Sequence, residues 1–344
     1  MAWRPRAVSL SSGGVLLNAQ FGVIATLMEA GLLDDVREWH GCSCGAIVAM
    51  LCAIGVTPAW IRKFISILKM EIVSTPQDDC ITNYLQSWGI TDGVAAVNYM
   101  CKIVDTWHPG SSAWTFADLA RECPNTSLTI IATNVSKQCQ TRFSSVNTPH
   151  IRVVDAVRAS CGVPLYFTPW VDPSGDMYCD GAVMEYYPWS YLTDKDNTLV
   201  IACHKTPFRG KPSVVSIPEY VGALLLCARP YPPHPRNWIA INRPDVALLD
   251  FKMTQEEKMD IFEEGVRAAR GWMAWRERCT SLTDSEKATA QRLTPNALPG
   301  TLSSDRPSPD RMWDSHQSGS PLPTAYPSRG SRTASSLPSR RWSL

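Results

Sequence analysis

The sequence lacks the features that would assign it to several common classes of protein. Its 344 residues contain 33 Lys and Arg against 32 Asp and Glu, so neither sign of charge is in excess. Because a nucleic-acid-binding protein usually presents a strongly basic face, we expect no nucleic-acid partner. The longest apolar run, residues 45–56, is too short for a transmembrane segment, which needs about 20 residues.

Several metal- and nucleotide-binding motifs are absent as well. No CxxC pair occurs among the 12 cysteines, which excludes a zinc ribbon and a thioredoxin-type redox site. The chain has no GxxxxGKS or GxxxxGKT, no GxGxxG and no HExxH, so we expect no nucleotide, cofactor or metal. Several cysteines lie in apolar runs, where a thiol usually packs as a small hydrophobic group. The placement of cysteines in apolar runs predicts a reduced, cytoplasmic protein. Peripheral attachment to membranes is left open.

The chain does contain an alternation of strand and helix patterns over most of its length. With 44% hydrophobic residues it can bury a sizeable core. The alternation predicts an α/β fold with a mostly parallel central sheet covered by helices on both faces. The predicted strands span residues 7–10, 36–42, 127–133, 141–145, 198–203 and 238–241, and the predicted helices span 20–30, 46–54, 57–70, 94–106, 153–160, 214–229 and 254–278.

The composition changes near the C-terminus. Residues 296–344 contain 12 Ser, 7 Pro and 6 Arg, with few apolar side chains to offset the entropy of ordering. We therefore expect one folded domain over residues 1–280 and a Ser/Pro/Arg-rich tail over 281–344, disordered from about residue 297.

The most specific motif is Gly41-Cys42-Ser43-Cys44-Gly45, a GxSxG pattern between a predicted strand and a predicted helix. A serine on such a tight turn projects its hydroxyl outward, and the glycines let the backbone bend. The N-terminus of the helix that follows adds partial positive charge where an oxyanion would develop. The motif therefore predicts Ser43 as a nucleophile.

A second candidate feature is the turn Ser12-Gly13-Gly14, directly after the first predicted strand. Consecutive glycines can direct successive backbone N–H groups at one point and form an anion-binding nest. A nest at Gly13 and Gly14 would stabilise a tetrahedral intermediate.

A serine nucleophile also needs a base, usually a histidine. None of the six histidines has a sequence context that favours this role. Asp180, in Asp180-Gly181-Ala182, is the other candidate, although Asp followed by Gly is also ordinary turn chemistry. The residues alone leave open a Ser–Asp pair and a Ser-His-Asp esterase that uses His204.

Together these motifs resemble the patatin-like phospholipase family, the lipid acyl hydrolases that use a Ser-Asp dyad. The family's glycine-rich loop is similar to residues 12–17, its serine elbow to residues 41–45 and its Asp-Gly motif to residues 180–182, in the same order. The connecting segments 21–31 and 154–169 are similar too. The resemblance covers roughly residues 7–190 of the chain.

The resemblance implies a three-layer patatin-type fold and the hydrolysis of a fatty-acyl ester, by phospholipase A-type or lipase activity. Ser43 would be the nucleophile and Asp180 the proton acceptor, with no metal or cofactor. The substrate would be a phospholipid or acylglycerol at a membrane or lipid-droplet surface. The other implied site residues are Gly13, Gly14 and Cys44 in the oxyanion hole and Gly41, Gly45, Gly181 and Ala182 in the motifs.

The chain departs at three positions from the family's loop, which has the pattern Gly-Gly-Gly-x-Arg/Lys-Gly. Ser12, Leu16 and Leu17 replace the first glycine, the basic residue and the last glycine. A leucine at positive φ would cost roughly 1–2 kcal/mol, and the loss of one oxyanion donor costs about 10²–10³ in rate. A catalytically impaired relative that binds lipid or a partner protein therefore stays an alternative.

Overall fold

The computed structural model of the protein describes residues 3–74, 84, 86–204 and 235–280. The strands in this part of the chain are β1 (Ala7–Leu10), β2 (Glu38–Cys42), β3 (Gly89–Thr91), β4 (Ser127–Asn134), β5 (Cys139–Phe143), β6 (Leu165–Phe167), β7 (Trp170–Val171), β8 (Met177–Cys179), β9 (Thr198–His204) and β10 (Trp238–Asn242). The helices are α1 (Leu17–Glu29), α2 (Cys44–Ala53), α3 (Pro58–Ile67), α4 (Val94–Trp107), α5 (Phe116–Glu122), α6 (Val153–Ser160) and α7 (Gln255–Thr280).

The large sheet has the strand order β10-β9-β1-β2-β4-β8-β7, with β5 also paired to β4. The strands from β10 to β4 run parallel, whereas β5 and β8 are antiparallel to β4. The register places Leu10 beside both Gly41 and Ile201. Because β1, β2 and β9 are parallel, the segments that follow them leave the sheet at the same edge. The glycine turn and the serine elbow therefore lie next to each other.

Helices flank the central sheet and bury its middle strands. α2 carries no charged residue, and almost all of its side chains are buried against β1, β2 and β4. α1 packs against α7, with Phe21, Ile24 and Phe262 in the core. The fold is the predicted α/β arrangement of a mostly parallel sheet with helices on both faces.

Most of the predicted elements are confirmed. The helix predicted over residues 153–160 has those bounds, and the segment predicted to pair with the strand from Ser127 does so as β5. α1 begins at Leu17, earlier than predicted, because the 3₁₀ turn Gly14–Leu16 passes directly into it. The short strands β3, β6, β7 and β8 were not predicted, since segments of two or three residues show no period. The seven-residue helix α5 was not predicted either.

Two predicted regions lie outside the described residues. These are the helix over residues 214–229 and the tail over 281–344, so the division into domain and tail stays a prediction. Among the helices that the structure does describe, none is both long enough and apolar enough to cross a membrane.

Candidate active site

Ser43 occupies the single-residue turn between β2 and α2. Its backbone has φ 53° and ψ −126°, a conformation that L-residues rarely adopt and that costs about 1–3 kcal/mol. The turn is possible because Gly45 has no side chain: a Cβ there would lie 2.5 Å from the carbonyl oxygen of Leu10. The predicted serine elbow is therefore present, with the tight backbone geometry that such a turn requires.

A hydrogen-bonded serine on α6 supports this strained turn. The backbone N–H of Ser43 donates to Ser160 Oγ at 2.8 Å, and the Ser160 hydroxyl donates to the carbonyl oxygen of Ile131 at 2.6 Å. Ser160 is fully buried, so no water replaces these bonds. No pattern in the sequence indicates this positioning role, because both partners of Ser160 lie far from it along the chain.

Asp180 lies within hydrogen-bonding distance of the Ser43 hydroxyl. Ser43 Oγ donates to Asp180 Oδ2 at 2.7 Å, across 137 positions of sequence. The other carboxylate oxygen, Oδ1, accepts the backbone N–H of Ala182 at 2.8 Å, and the Thr133 hydroxyl donates to the backbone carbonyl of Asp180 at 2.9 Å. Ser43 and Asp180 are 7% and 3% exposed. The structure thus brings the two predicted residues together, with each carboxylate oxygen bonded to a donor.

The glycine turn lies beside this pair, after β1. β9 holds it, since the Cys203 N–H donates to Ser11 Oγ at 2.8 Å, and the buried amide of Gln20 donates to the Ser11 carbonyl at 2.8 Å. Gly14 has φ +55°, and a Cβ there would lie 1.9 Å from the Leu248 carbonyl oxygen. Only glycine therefore fits at position 14 without a shift of the neighbouring backbone.

The leucines that replace loop residues of the family do not strain the turn. Leu16 has φ −68°, and Leu17 has φ −51° with ψ −31°, both ordinary helical values. The residue of this turn with positive φ is Gly14. The strain of a leucine at positive φ therefore does not arise at Leu17.

Three backbone N–H groups were predicted as the oxyanion hole. Those of Gly13 and Gly14 donate to no other group of the described residues. Cys44 is the first residue of α2, so its N–H has no acceptor within the helix. Gly14 and Cys44 line the cavity in front of Ser43, whereas Gly13 lies deeper, packed against the side chain of Cys203.

Buried thiols surround the serine and the aspartate. Nine cysteines of the described residues are free thiols. Burial raises the pKa of the Cys203 thiol to about 12, and burial together with the charge of Asp180 raises that of Cys179 to about 12. Burial and neighbouring groups raise the pKa of the Cys44 thiol well above its usual range. Because the thiolate is the nucleophilic form of cysteine, these thiols are unreactive at neutral pH and Ser43 is the candidate nucleophile.

A cavity of about 210 Å³ opens in front of Ser43 and Asp180. Its walls come mainly from α2, α4 and the segments around α3, and they are largely apolar. The apolar lining includes Leu17, Ile47, Met50, Leu51, Phe64, Leu68, Met70, Val97, Met100, Ile103, Phe167, Leu248 and Phe251. Such a lining suits a hydrocarbon chain, although the residues around the cavity also include Lys69, Tyr99 and Arg158.

Among the described residues, the hydrogen-bond partner of the Ser43 hydroxyl is Asp180 and not a histidine. A serine hydroxyl carries one proton, and that of Ser43 is donated to Asp180. His40, which precedes the elbow, is buried with Nε2 3.3 Å from Glu38 Oε2. The backbone of His204 ends β9, but its side chain lies outside the described part of the chain.

The described residues contain no group of three or more His, Cys, Asp or Glu side chains arranged to hold a metal ion.

A family model described as "Patatin-like phospholipase" matches residues 8–193. This match covers more than half of the chain, so the protein belongs to the patatin-like phospholipase family.

Two further proteins are similar to the chain. "Uncharacterized protein R571" from Acanthamoeba polyphaga mimivirus is 27% identical over 200 residues, which are 56% of this chain and 64% of that protein. The chain thus spans less than two thirds of this relative. The crystal structure of VipD from Legionella pneumophila superposes with a TM-score of 0.52 at 16% identity, over 79% of this chain and 67% of VipD. At that identity the similarity establishes a shared fold only.

Proposed function

We propose that the protein is a lipid acyl hydrolase that cleaves fatty-acyl esters through a Ser43–Asp180 dyad. The observation that carries this proposal is the 2.7 Å hydrogen bond from Ser43 Oγ to Asp180 Oδ2 at one end of an apolar cavity. Membership of the patatin-like phospholipase family supports a lipid substrate. The specific lipid, a phospholipid or an acylglycerol presented at a membrane or lipid-droplet surface, is part of the proposal.

The first half of the reaction forms an acyl-enzyme. Ser43 Oγ attacks the ester carbonyl carbon while its proton passes to Asp180 Oδ2, the oxygen to which it is already bonded. The carbonyl oxygen becomes an oxyanion. Collapse of this intermediate breaks the bond to the alcohol, which leaves with the proton from Asp180.

The oxyanion needs donors that are in place before the charge develops. Gly14 and Cys44 line the cavity, and Gly13 precedes Gly14 in the same turn. Cys44 also begins α2, whose N-terminus carries partial positive charge. These groups would stabilise the intermediate without any metal.

The second half releases the fatty acid. A water molecule in the position of the departed alcohol gives its proton to Asp180 and attacks the acyl carbonyl carbon. The bond to Ser43 Oγ then breaks, and Ser43 takes the proton back from Asp180. The acid and the free enzyme result, so one carboxylate serves both halves of the cycle.

An experiment with a covalent probe tests this proposal. We expect a fluorophosphonate to label the wild-type protein and not Ser43→Ala, and fatty acid to be released from phospholipid vesicles by the wild type. Ser43→Ala should lower the rate by about 10⁴- to 10⁶-fold, and Asp180→Asn by about 10²- to 10⁴-fold. His204→Ala is the matched control and should keep its activity.

Two outcomes would contradict the dyad. Activity lost in His204→Ala and kept in Asp180→Asn would favour a Ser-His-Asp esterase. No labelling together with no fatty-acid release would leave the catalytically impaired lipid-binding or partner-binding protein.

A further inference from the structure

The cavity in front of Ser43 follows one side of α2 and one side of α4 over the same length. The residues of these two helices that line it are Cys44, Ile47, Met50 and Leu51 on α2 and Ala96, Val97, Tyr99, Met100 and Ile103 on α4. Residues three or four positions apart lie on the same side of a helix. From Cys44 to Leu51, and again from Ala96 to Ile103, seven rises of about 1.5 Å give walls of about 10 Å.

Three aromatic side chains close the end of these walls that lies away from the elbow. Beyond Leu51, the carbonyl oxygen of Ile54 accepts the indole N–H of Trp107, the last residue of α4, at 3.1 Å. The ring of Trp60 on α3 lies edge-on to Trp107 at 5.8 Å and stacks on Phe64 at 5.0 Å. Phe64 lines the cavity, whereas Trp60 and Trp107 do not. We call Phe64, Trp60 and Trp107 the aromatic plug.

The plug is held by further contacts in the core. Phe64 is 5% exposed, and its ring meets the fully buried Phe21 edge-on at 5.6 Å. The Thr57 hydroxyl caps α3 by accepting the backbone N–H of Trp60 at 3.3 Å. Because protein interiors are close-packed, a ring fixed on several sides does not move aside without opening a void. Within the described part of the chain, the cavity therefore ends at Phe64.

The size of the cavity corresponds to an acyl chain of medium length. An extended hydrocarbon chain with bonds of about 1.5 Å advances about 1.25 Å per bond, so walls of about 10 Å match about eight bonds. The volume of about 210 Å³ gives a similar length. A cavity of about 150 Å³ accepts benzene with its six carbon atoms, so this one holds about eight carbons. A palmitoyl chain would need roughly twice this space.

We propose that the aromatic plug sets the length of the acyl chain, and that the site takes medium-chain acyl groups of about eight to ten carbons. This assignment rests on the proposed function, because it places the ester carbonyl at Ser43 and the methyl end of the chain at Phe64. Phe64 is then the residue that determines acyl specificity. A longer chain must leave carbons outside the apolar lining or displace a packed ring.

Hydrolysis of esters of graded chain length tests this assignment. We would measure p-nitrophenyl esters from butyrate to palmitate in a single detergent, with Ser43→Ala as the baseline. For the wild type, kcat/KM should rise by about threefold to fourfold for each added methylene and be highest for the octanoate or decanoate ester. A palmitate ester cleaved as efficiently as the decanoate ester would overturn the proposal.

Two substitutions should move the preferred length in opposite directions. Phe64→Ala removes the ring at the closed end and should move the optimum by about four carbons, toward the myristate ester. Ile103→Phe adds a ring near the same end, at a half-buried position, and should move the optimum toward the hexanoate ester. A general structural defect would lower the rates for all esters alike. If Phe64→Ala does not fold, Ile103→Phe still decides, and an unchanged optimum there would overturn the proposal.

Each substitution has a matched control. Phe116 is as buried as Phe64, at 1% exposed, but does not line the cavity, so Phe116→Ala should lose stability and keep the optimum of the wild type. Thr106 is exposed on α4, so Thr106→Phe should change neither the rate nor the optimum. An equal shift in Phe116→Ala and Phe64→Ala would show that a loosened core changes the optimum, and it would overturn the role of Phe64.

Binding measured without turnover separates this proposal from the hydrolysis. In the Ser43→Ala protein, calorimetry of the 1-alkanols from hexanol to dodecanol should give affinities that rise by about threefold to fourfold per methylene and level off near decanol. With Phe64→Ala added, the rise should continue to dodecanol. If the wild type hydrolyses no ester but this plateau is present, the hydrolysis fails and the chain-length assignment stands. Ester hydrolysis without any plateau would leave the hydrolysis and overturn the assignment.

Discussion

The serine elbow and the glycine turn lie side by side, yet they are held in place in different ways. At the elbow, two side chains bond to Ser43 itself: Ser160 accepts its backbone N–H at 2.8 Å, and Asp180 accepts its hydroxyl proton at 2.7 Å. In the glycine turn, Gly14 is fixed by the lack of room for a Cβ against the carbonyl of Leu248. The turn thus depends on the room around its backbone and on the bonds of Ser11 to Gln20 and Cys203, whereas the elbow depends on side chains that bond to its central residue.

This difference explains why the departures from the family's loop leave its geometry intact. Ser12, Leu16 and Leu17 change side chains in a segment that is held by main-chain contacts, such as the bond from the Ser12 N–H to the Tyr186 carbonyl at 2.9 Å. The residue that needs positive φ, Gly14, is retained. The impaired alternative therefore gains no support from the conformation of this turn.

Gly14→Ala tests whether the glycine turn depends on the room around its backbone. We expect it to have a larger effect than the change at Ser160 described below. The added Cβ meets the Leu248 carbonyl at 1.9 Å, so the turn must move and the oxyanion donors move with it. We expect kcat to fall by about 10²–10³, the cost of one donor, and the free energy of unfolding to fall by about 1–3 kcal/mol. Ester hydrolysis and denaturant unfolding would measure the two effects.

Gly110→Ala is the control for this change. Gly110 also has positive φ, +85°, but nothing lies within 4 Å of its Cβ position. It should lose stability through strain alone and keep full activity. If Gly14→Ala kept its kcat as well, the turn would not supply the oxyanion donors.

Ser160→Ala tests whether the serine elbow depends on the side chain beneath it, and we expect a smaller fall in kcat than for Gly14→Ala. It removes the acceptor of the Ser43 N–H and the donor to the Ile131 carbonyl, both buried. Each unsatisfied buried group costs about 1–3 kcal/mol, so stability falls. The loosened elbow should lower kcat by about tenfold, since good positioning accounts for much of a rate enhancement.

KM should stay unchanged in Ser160→Ala, because Ser160 does not line the cavity. Ser66→Ala is a suitable control, since the Ser66 hydroxyl bonds only to the carbonyl of Lys63 at an exposed position. A raised KM with an unchanged kcat would show that Ser160 supports the cavity and not the nucleophile.

Leu17→Gly tests whether the leucine in the glycine turn lowers the activity, and we expect no gain in kcat. It restores the family's glycine at a position whose φ of −51° any residue adopts, so kcat should not rise. The variant should be about 1 kcal/mol less stable than Leu17→Ala, the difference between glycine and alanine in a helix. Thermal unfolding of the pair would measure this difference. A tenfold rise in kcat would mean that the leucine does impair the turn.

The local patterns predicted most of what lies along the chain. The apolar strand Ala7–Leu10, the charge-free α2 and the glycines at the elbow could be predicted because sequence-local sterics and burial decide them. The same logic failed for β3, β6, β7 and β8. Strands of two or three residues form through their pairing with other strands. β6 pairs with β3, β8 pairs with β4, and β7 pairs with β8.

The sequence by itself determined which residues could react, since only serine at position 43 combines a tight glycine-flanked turn with a following helix. The tertiary structure decided which groups meet. Parallel pairing of β1, β2 and β9 brings the elbow and the glycine turn to one edge of the sheet. Folding also places Ser160 under the elbow, where its hydroxyl oxygen accepts the N–H of Ser43. Contacts between distant segments carry no local pattern, because burial and hydrogen bonding act through space and not along the chain.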